Sequence, residues 1–204
     1  MTSAELSALL VLATVSSFTP GPNTTLSTAL AANHGLRRAM HFVCAVPVGW
    51  GLLLSLCATG LGSLVVAWPP LRWGIVVLGN GYLLWLARRL WGSGTLQQTD
   101  NAPLHVGFLQ GVGLQFLNIK AWMLALAIVA GWIAGRPDAA ERTLVLLPIM
   151  VAYGFASNLS YALAGSLLRH WLAHGQRMLV FNRCMAGALM ATVAWLLLGQ
   201  GVYP

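Results

Sequence analysis

The sequence predicts an all-α integral membrane protein, with six transmembrane helices arranged as a 3+3 inverted repeat whose first and fourth helices are broken. Three observations point there. Of 204 residues, 58% are apolar and 7% charged, against about 45–50% and about 25% in an ordinary soluble domain, and the mean hydropathy is +0.75. Apolar runs near the length of about 20 residues that a helix needs to cross a hydrocarbon core recur six times between polar clusters. Polar interruptions fall well inside only two of these runs, the first and the fourth. Continuous apolar runs favour helices over a barrel, whose strands alternate, because in lipid each segment must satisfy its own backbone.

The first span covers residues 6–32. The one acid ahead of it is Glu5, and no Lys or Arg precedes it, so it lacks the basic flank of a cleaved signal and reads as retained. Inside it lies Phe18-Thr19-Pro20-Gly21-Pro22-Asn23. Pro20 and Pro22 have no amide to donate and crowd the preceding turn, while Gly21 permits angles other residues avoid, so two half-helices are expected. Carbonyls are freed at one depth, and Thr24 and Thr25 open the second half-helix, whose positive end favours a carboxylate. The second span, 42–68, follows the cluster Asn33-His34-Gly35-Leu36-Arg37-Arg38 and stops at Pro69-Pro70. The third, 71–91, carries Asn80 and Tyr82, and a polar loop over 92–107 closes the first half.

The fourth span, 108–134, contains Gln115-Phe116-Leu117-Asn118-Ile119-Lys120. Lys120 lies roughly 18 Å into this helix, near the bilayer centre, and a cation there is a functional hypothesis by default because insertion alone costs about 2.5–3.5 kcal/mol. Gly107 with Gly111, and Gly131 with Gly135, have the spacing of close-packed membrane helices. The fifth span, 144–168, holds Tyr153, Ser157, Asn158, Ser160 and Tyr161, and the sixth covers 178–201. Most of these polar residues read as packing contacts; Asn80, Tyr153, Asn158 and Tyr161 are equally fit to line a cavity. With an odd number of spans per half, related halves must insert in opposite directions, and matching interruptions in corresponding spans mark a transport site at the repeat interface.

Alternate loops differ in basic residues. One set carries Arg37, Arg38, Arg88, Arg89, Arg169, Arg177 and Arg183, the other Arg72, Arg136 and Arg142, so the first set is cytoplasmic and both termini face outward. No soluble domain fits between the spans, which leaves one transporter domain over 1–204: repeat one about 1–91, cytoplasmic loop 92–107, repeat two about 108–204. The net charge of +7 is scattered among apolar runs without a basic stripe, which argues against nucleic acid. Cys44, Cys57 and Cys184 lie in apolar runs and imply no disulfide framework. His34, His41, His105, His170 and His174 sit near loops without carboxylate partners, a poor metal site.

Thr19-Pro20-Gly21-Pro22-Asn23, the His34-Gly35-Leu36-Arg37-Arg38-Ala39 loop, Gly79 to Leu86 with Tyr82-Leu83, Phe116-Leu117-Asn118-Ile119-Lys120-Ala121-Trp122 and Asn182-Arg183 together resemble the LysE/RhtB amino-acid exporters, nearly end to end. The resemblance implies a bacterial inner-membrane protein that exports amino acids or related small metabolites on an electrochemical gradient, with protons as the family-level coupling ion and a homo-oligomer left open. The family usually has proline where Ile119 stands, so a milder break than in relatives is expected there.

The expected function is therefore secondary active export by alternating access, with no enzyme chemistry and no cofactor or metal. The cargo is a small zwitterion held between the first and fourth spans by Thr19, Pro20, Gly21, Pro22, Asn23, Thr24, Asn118 and Lys120, with Asn80, Tyr153 and Asn158 as further lining; the other surroundings are lipid. No Asp or Glu occurs within the spans, so neutral amino acids are favoured over lysine or arginine. Two alternatives stand beside this: a membrane thiol-disulfide oxidoreductase using Cys44 and Cys57, which a helix would hold roughly 20 Å apart unless it broke at Pro47, and a passive small-solute channel.

Overall fold

The computed structural model describes residues 1–93 and 106–200, and every regular element among them is helical. Most of the predicted loop 92–107, and the end of the sixth span, lie outside the described residues. The chain opens with α1 (Ser3–Phe18), started by a capping box in which Thr2 and Glu5 each bond the other's backbone. It stops at Thr19, in extended geometry, and α2 (Pro22–His34) begins after an extended Gly21 with proline at its first position, where a missing amide costs nothing. The pair is bent by 49°.

α3 (Leu36–Ala58) follows after a single residue, Gly35, whose φ of 83° makes the whole turn. The predicted second span is therefore displaced: its helix begins at Leu36 and ends at Ala58. Gly60, with φ 102°, redirects the chain into α4 (Leu61–Ala67), and α5 (Pro69–Trp91) leaves it at 96°. Pro69 is the first residue of α5, not a loop residue. This third bent pair contains no polar interruption, which is why a search for such interruptions passes over it.

The fourth span is broken as expected, into α6 (Phe108–Leu117) and α7 (Ile119–Ile128), with a π-helical turn at Val129–Ile133. Asn118 stands between them in extended geometry, and its side-chain oxygen accepts from the Lys120 amide at 3.1 Å. This cap starts a new helix without proline, and the pair is bent by 68°. The last elements are α8 (Ala139–Leu172) and α9 (Arg177–Gln200), and neither Pro47 in α3 nor Pro148 in α8 interrupts its helix. Among the described residues α3, α8 and α9 are long and apolar enough to cross a membrane, and counting each bent pair as one span gives up to six.

Two apolar clusters lie on either side of the breaks. Leu26, Phe42, Leu83, Leu86 and Leu189 belong to the one near the end of α2. Leu9, Trp50, Leu53, Trp122 and Met150 belong to the one near the start of α1. In the first, small residues bring backbones together: a Cβ on Gly49 would lie 2.6 Å from Val112 O, one on Gly111 would lie 2.7 Å from Ala45, and one on Gly165 would overlap Thr28 O. The predicted packing roles of Gly131 and Gly135 are not seen, since a Cβ at either would meet nothing within 4 Å, and Gly135 instead supplies a turn with φ 70°.

At the opposite end α1 is fastened by charge. Glu5 meets Arg142 at 3.2 Å and Arg136 at 3.4 Å, Asp138 meets Arg142 at 2.8 Å, and Trp132 Nε1 donates to Glu5 O at 3.0 Å. The Arg142 side chain is nearly enclosed, so two of the chain's four acids are spent on one sheltered guanidinium. Its hydrogen bond holds the Asp138 carboxyl below the ordinary carboxylate range.

Candidate functional site

A helix that stops inside a membrane leaves its last carbonyls without amide partners, and lipid offers none. At the end of α1 side chains of the second half supply them. Ser157 donates to Ser17 O at 2.5 Å, Tyr161 to Phe18 O at 2.9 Å, and Lys120 Nζ to Thr19 O at 3.0 Å. Ser157, which reads from sequence as a packing contact, and Tyr161, equally fit there to pack or to line a cavity, are thus donors to the break.

The start of α2 presents the opposite polarity. Its cap residue, Gly21, has no side chain with which to hold the first-turn amides of Asn23 and Thr24. Thr24 Oγ1 serves Gly21 instead, accepting from its amide at 2.9 Å. A Cβ on Gly21 would sit 3.2 Å from Lys120 Nζ, so glycine here lets the ammonium lie against the break. Positive helix end and cation therefore converge on one spot, a arrangement suited to an anion.

Asn23 is fixed from the other half. Its Nδ2 donates to Gln115 Oε1 at 2.8 Å, and Gln115 Nε2 returns a bond to Asn23 Oδ1 at 3.2 Å and another to Gly111 O at 3.1 Å. Gln115 is fully buried. It belonged to the polar interruption of the fourth span but was not singled out; a buried amide one turn before a break was the available signal. Ser27 Oγ donates to Asn158 Oδ1 at 2.9 Å, tying α2 to α8.

A cavity of about 80 Å³ lies at this junction. Thr19, Gly21, Pro22, Asn23 and Thr24 line it from the first break, Asn118 and Lys120 from the second, and Asn158 from α8. Among the described residues no carboxylate lines it. Three predicted residues are elsewhere: Pro20 is not in the lining; the Tyr153 hydroxyl accepts from Thr14 Oγ1 at 3.4 Å; and Asn80 is buried in α5 with both amide atoms unpaired. Asn80 faces away because the stripe Val76, Asn80, Leu83, Ala87 packs inward, with Val76 against Ile119 and Leu196. Trp50, Leu124 and Met150 are among the other lining residues; as apolar residues in apolar runs they carried no signal. Cys44 and Cys57 both lie on uninterrupted α3, so the helix break that a thiol exchange between them would require is absent.

The LysE type translocator family model matches residues 14–201. The cysteine/O-acetylserine efflux protein of Salmonella typhimurium is 30% identical over 88% of this chain and 91% of its own length. Those of Klebsiella pneumoniae and Escherichia coli K12 are 29% and 27% identical, over 87% and 83% of this chain and 91% and 86% of their own. No solved structure matches.

Proposed function

The chain belongs to the LysE type translocators, and from that premise we propose that it exports small neutral amino acids across the bacterial inner membrane. The relatives' names support cargo of the size and charge of cysteine or O-acetylserine. In this reading the six spans form a 3+3 inverted repeat in one domain, with both termini outside. Transport is secondary active, by alternating access, with protons as the coupling ion.

The observation that carries the proposal is the Lys120–Thr19 contact across the two breaks, beside the uncapped start of α2. The Lys120 ammonium donates to the Thr19 carbonyl. An incoming zwitterion matches both partners: its carboxylate meets Lys120 and the amides of Asn23 and Thr24, and its ammonium takes the carbonyl that Lys120 gives up. Asn118 and Asn158 complete the polar wall. Binding thus exchanges a bond between the halves for bonds through the cargo, which couples occupancy to the relation between them. The lack of a carboxylate in the lining disfavours cationic side chains, since nothing would compensate their desolvation.

Proteoliposomes loaded with labelled cysteine, O-acetylserine, lysine or arginine test this. Release of the first two, accelerated by an imposed pH gradient, with the last two retained, is the expected result. Equal release of all four without any gradient dependence would indicate a passive pore and overturn the proposal.

A further inference from the structure

Three helices each add an apolar residue to the cavity one turn beyond the level of Lys120, all in the same direction. α3 runs from Pro47 to Trp50, α7 from Lys120 to Leu124, and α8, antiparallel, from Gly154 back to Met150. The direction is towards the start of α1: Trp50 and Met150 share a cluster with Leu9, and the segments that continue α7 and begin α8 reach Glu5 through Trp132 and Arg142. The cavity therefore has a polar floor at the breaks and, above it, an end walled mainly by apolar side chains, with Ser16 on α1 the exception.

Ser16, one turn back from Thr19, has its hydroxyl engaged, donating to Leu12 O at 2.6 Å; the other polar side-chain atom there is the Trp50 indole nitrogen. Trp122 Nε1 donates to Phe116 O at 2.9 Å and Trp132 Nε1 to Glu5 O at 3.0 Å. Trp50, only 8% exposed, has no acceptor for its indole nitrogen among the described residues. The nitrogen is nevertheless not sealed in, because the only fully enclosed unpaired side-chain atoms among those residues are the two of Asn80. Trp50 lines the cavity, its indole N–H has no acceptor among the described residues, and a buried indole normally has one.

We infer that Trp50 determines specificity by donating its indole N–H to an acceptor atom in the cargo's side chain, within a short uncharged compartment closed by Leu124 and Met150. The inference rests on the amino-acid exporter reading and adds to it the class of side chain: small, neutral and bearing one hydrogen-bond acceptor. Lys120 and the start of α2 recognise what all amino acids share; Trp50 recognises what distinguishes some of them.

O-methylserine and norvaline are nearly the same size and differ by a single acceptor oxygen, so their release from proteoliposomes isolates the contact. Wild-type protein is expected to release O-methylserine about fivefold faster, the worth of one neutral hydrogen bond. Trp50→Phe keeps a ring without the donor and is expected to bring the ratio close to one; Trp50→His, which restores a ring N–H, recovers part of the preference. A wild-type ratio of one, or a Trp50→Phe ratio equal to wild type, would overturn the assignment, and the first does not depend on any variant folding. Wild-type vesicles that release neither amino acid would instead bring down the exporter reading, and the Trp50 assignment with it.

Discussion

Lys120 Nζ and the carbonyl oxygen of Thr19 are 3.0 Å apart although their residues are 101 positions apart in the chain. The contact joins the first turn of α7 to the C-terminal cap of α1, each at the break inside its bent helix pair. Each group is there because a helix stops: Thr19 O has lost its helical amide, and Lys120 follows the cap at Asn118.

Removing the ammonium removes the cargo's anion partner. Lys120→Ala is expected to lower efflux roughly tenfold to a hundredfold, the range for a hydrogen bond to a charged group, with membrane insertion unchanged. Release of labelled neutral amino acid, normalised to inserted protein, measures this; wild-type rates would remove Lys120 from the site.

The Asn23–Gln115 pair makes a second prediction. Gln115→Leu strands the amide of Asn23 and should cost about 1–3 kcal/mol, read as a lower melting temperature in detergent. Adding Asn23→Leu should recover much of the stability, since neither partner is then left unpaired, while efflux stays impaired.

Asn80 is buried without partners in the described structure, and it does not line the cavity. Asn80→Leu should therefore raise the melting temperature by an amount equivalent to about 1–2 kcal/mol, the relief of an unpaired buried amide, and leave efflux intact. A loss of efflux would return Asn80 to the transport path.

The fastening at Glu5, Asp138 and Arg142 gives a pH dependence. Because Arg142 holds the Asp138 carboxyl below its ordinary range, its stabilising contribution is complete above the unfolded-state value, about 3.9. It is lost as pH falls through the lower folded-state value. Thermal melts between neutral pH and pH 3 should show a steeper acid decline for wild type than for Asp138→Asn; parallel curves would mean the contact contributes nothing.

The membrane class, the two interruptions and Lys120 were legible because each departs from an apolar background, where a Pro-Gly-Pro or a lone cation has no cheap explanation. The cap at Asn118 was legible only as a polar residue near a lysine. That it ends one helix and starts another, making proline unnecessary at Ile119, depends on a side-chain bond two residues long. Ser157, Tyr161 and Gln115 were visible as polar residues, but their role lies in which carbonyl or amide they meet, and pairings across more than 90 residues leave no trace in spacing. Trp50, Leu124 and Met150 were hidden for the opposite reason, since an apolar residue in an apolar run carries no contrast. The turn at Gly60 and the sharp exit into α5 were missed because glycine is common in membrane helices, and only a positive φ distinguishes the one that turns the chain.

Gly79 touches the second break from outside, for a Cβ at that position would overlap the carbonyl oxygen of Leu117. The bend between α6 and α7 therefore has no clearance of its own and borrows it from a hydrogen atom on α5. A single added methyl, Gly79→Ala, forces α5 and the break apart, whereas Gly81→Ala two residues on meets open space. Helix α5 thus acts as a splint, and the angle at Asn118 answers to a helix that contributes nothing to the cavity.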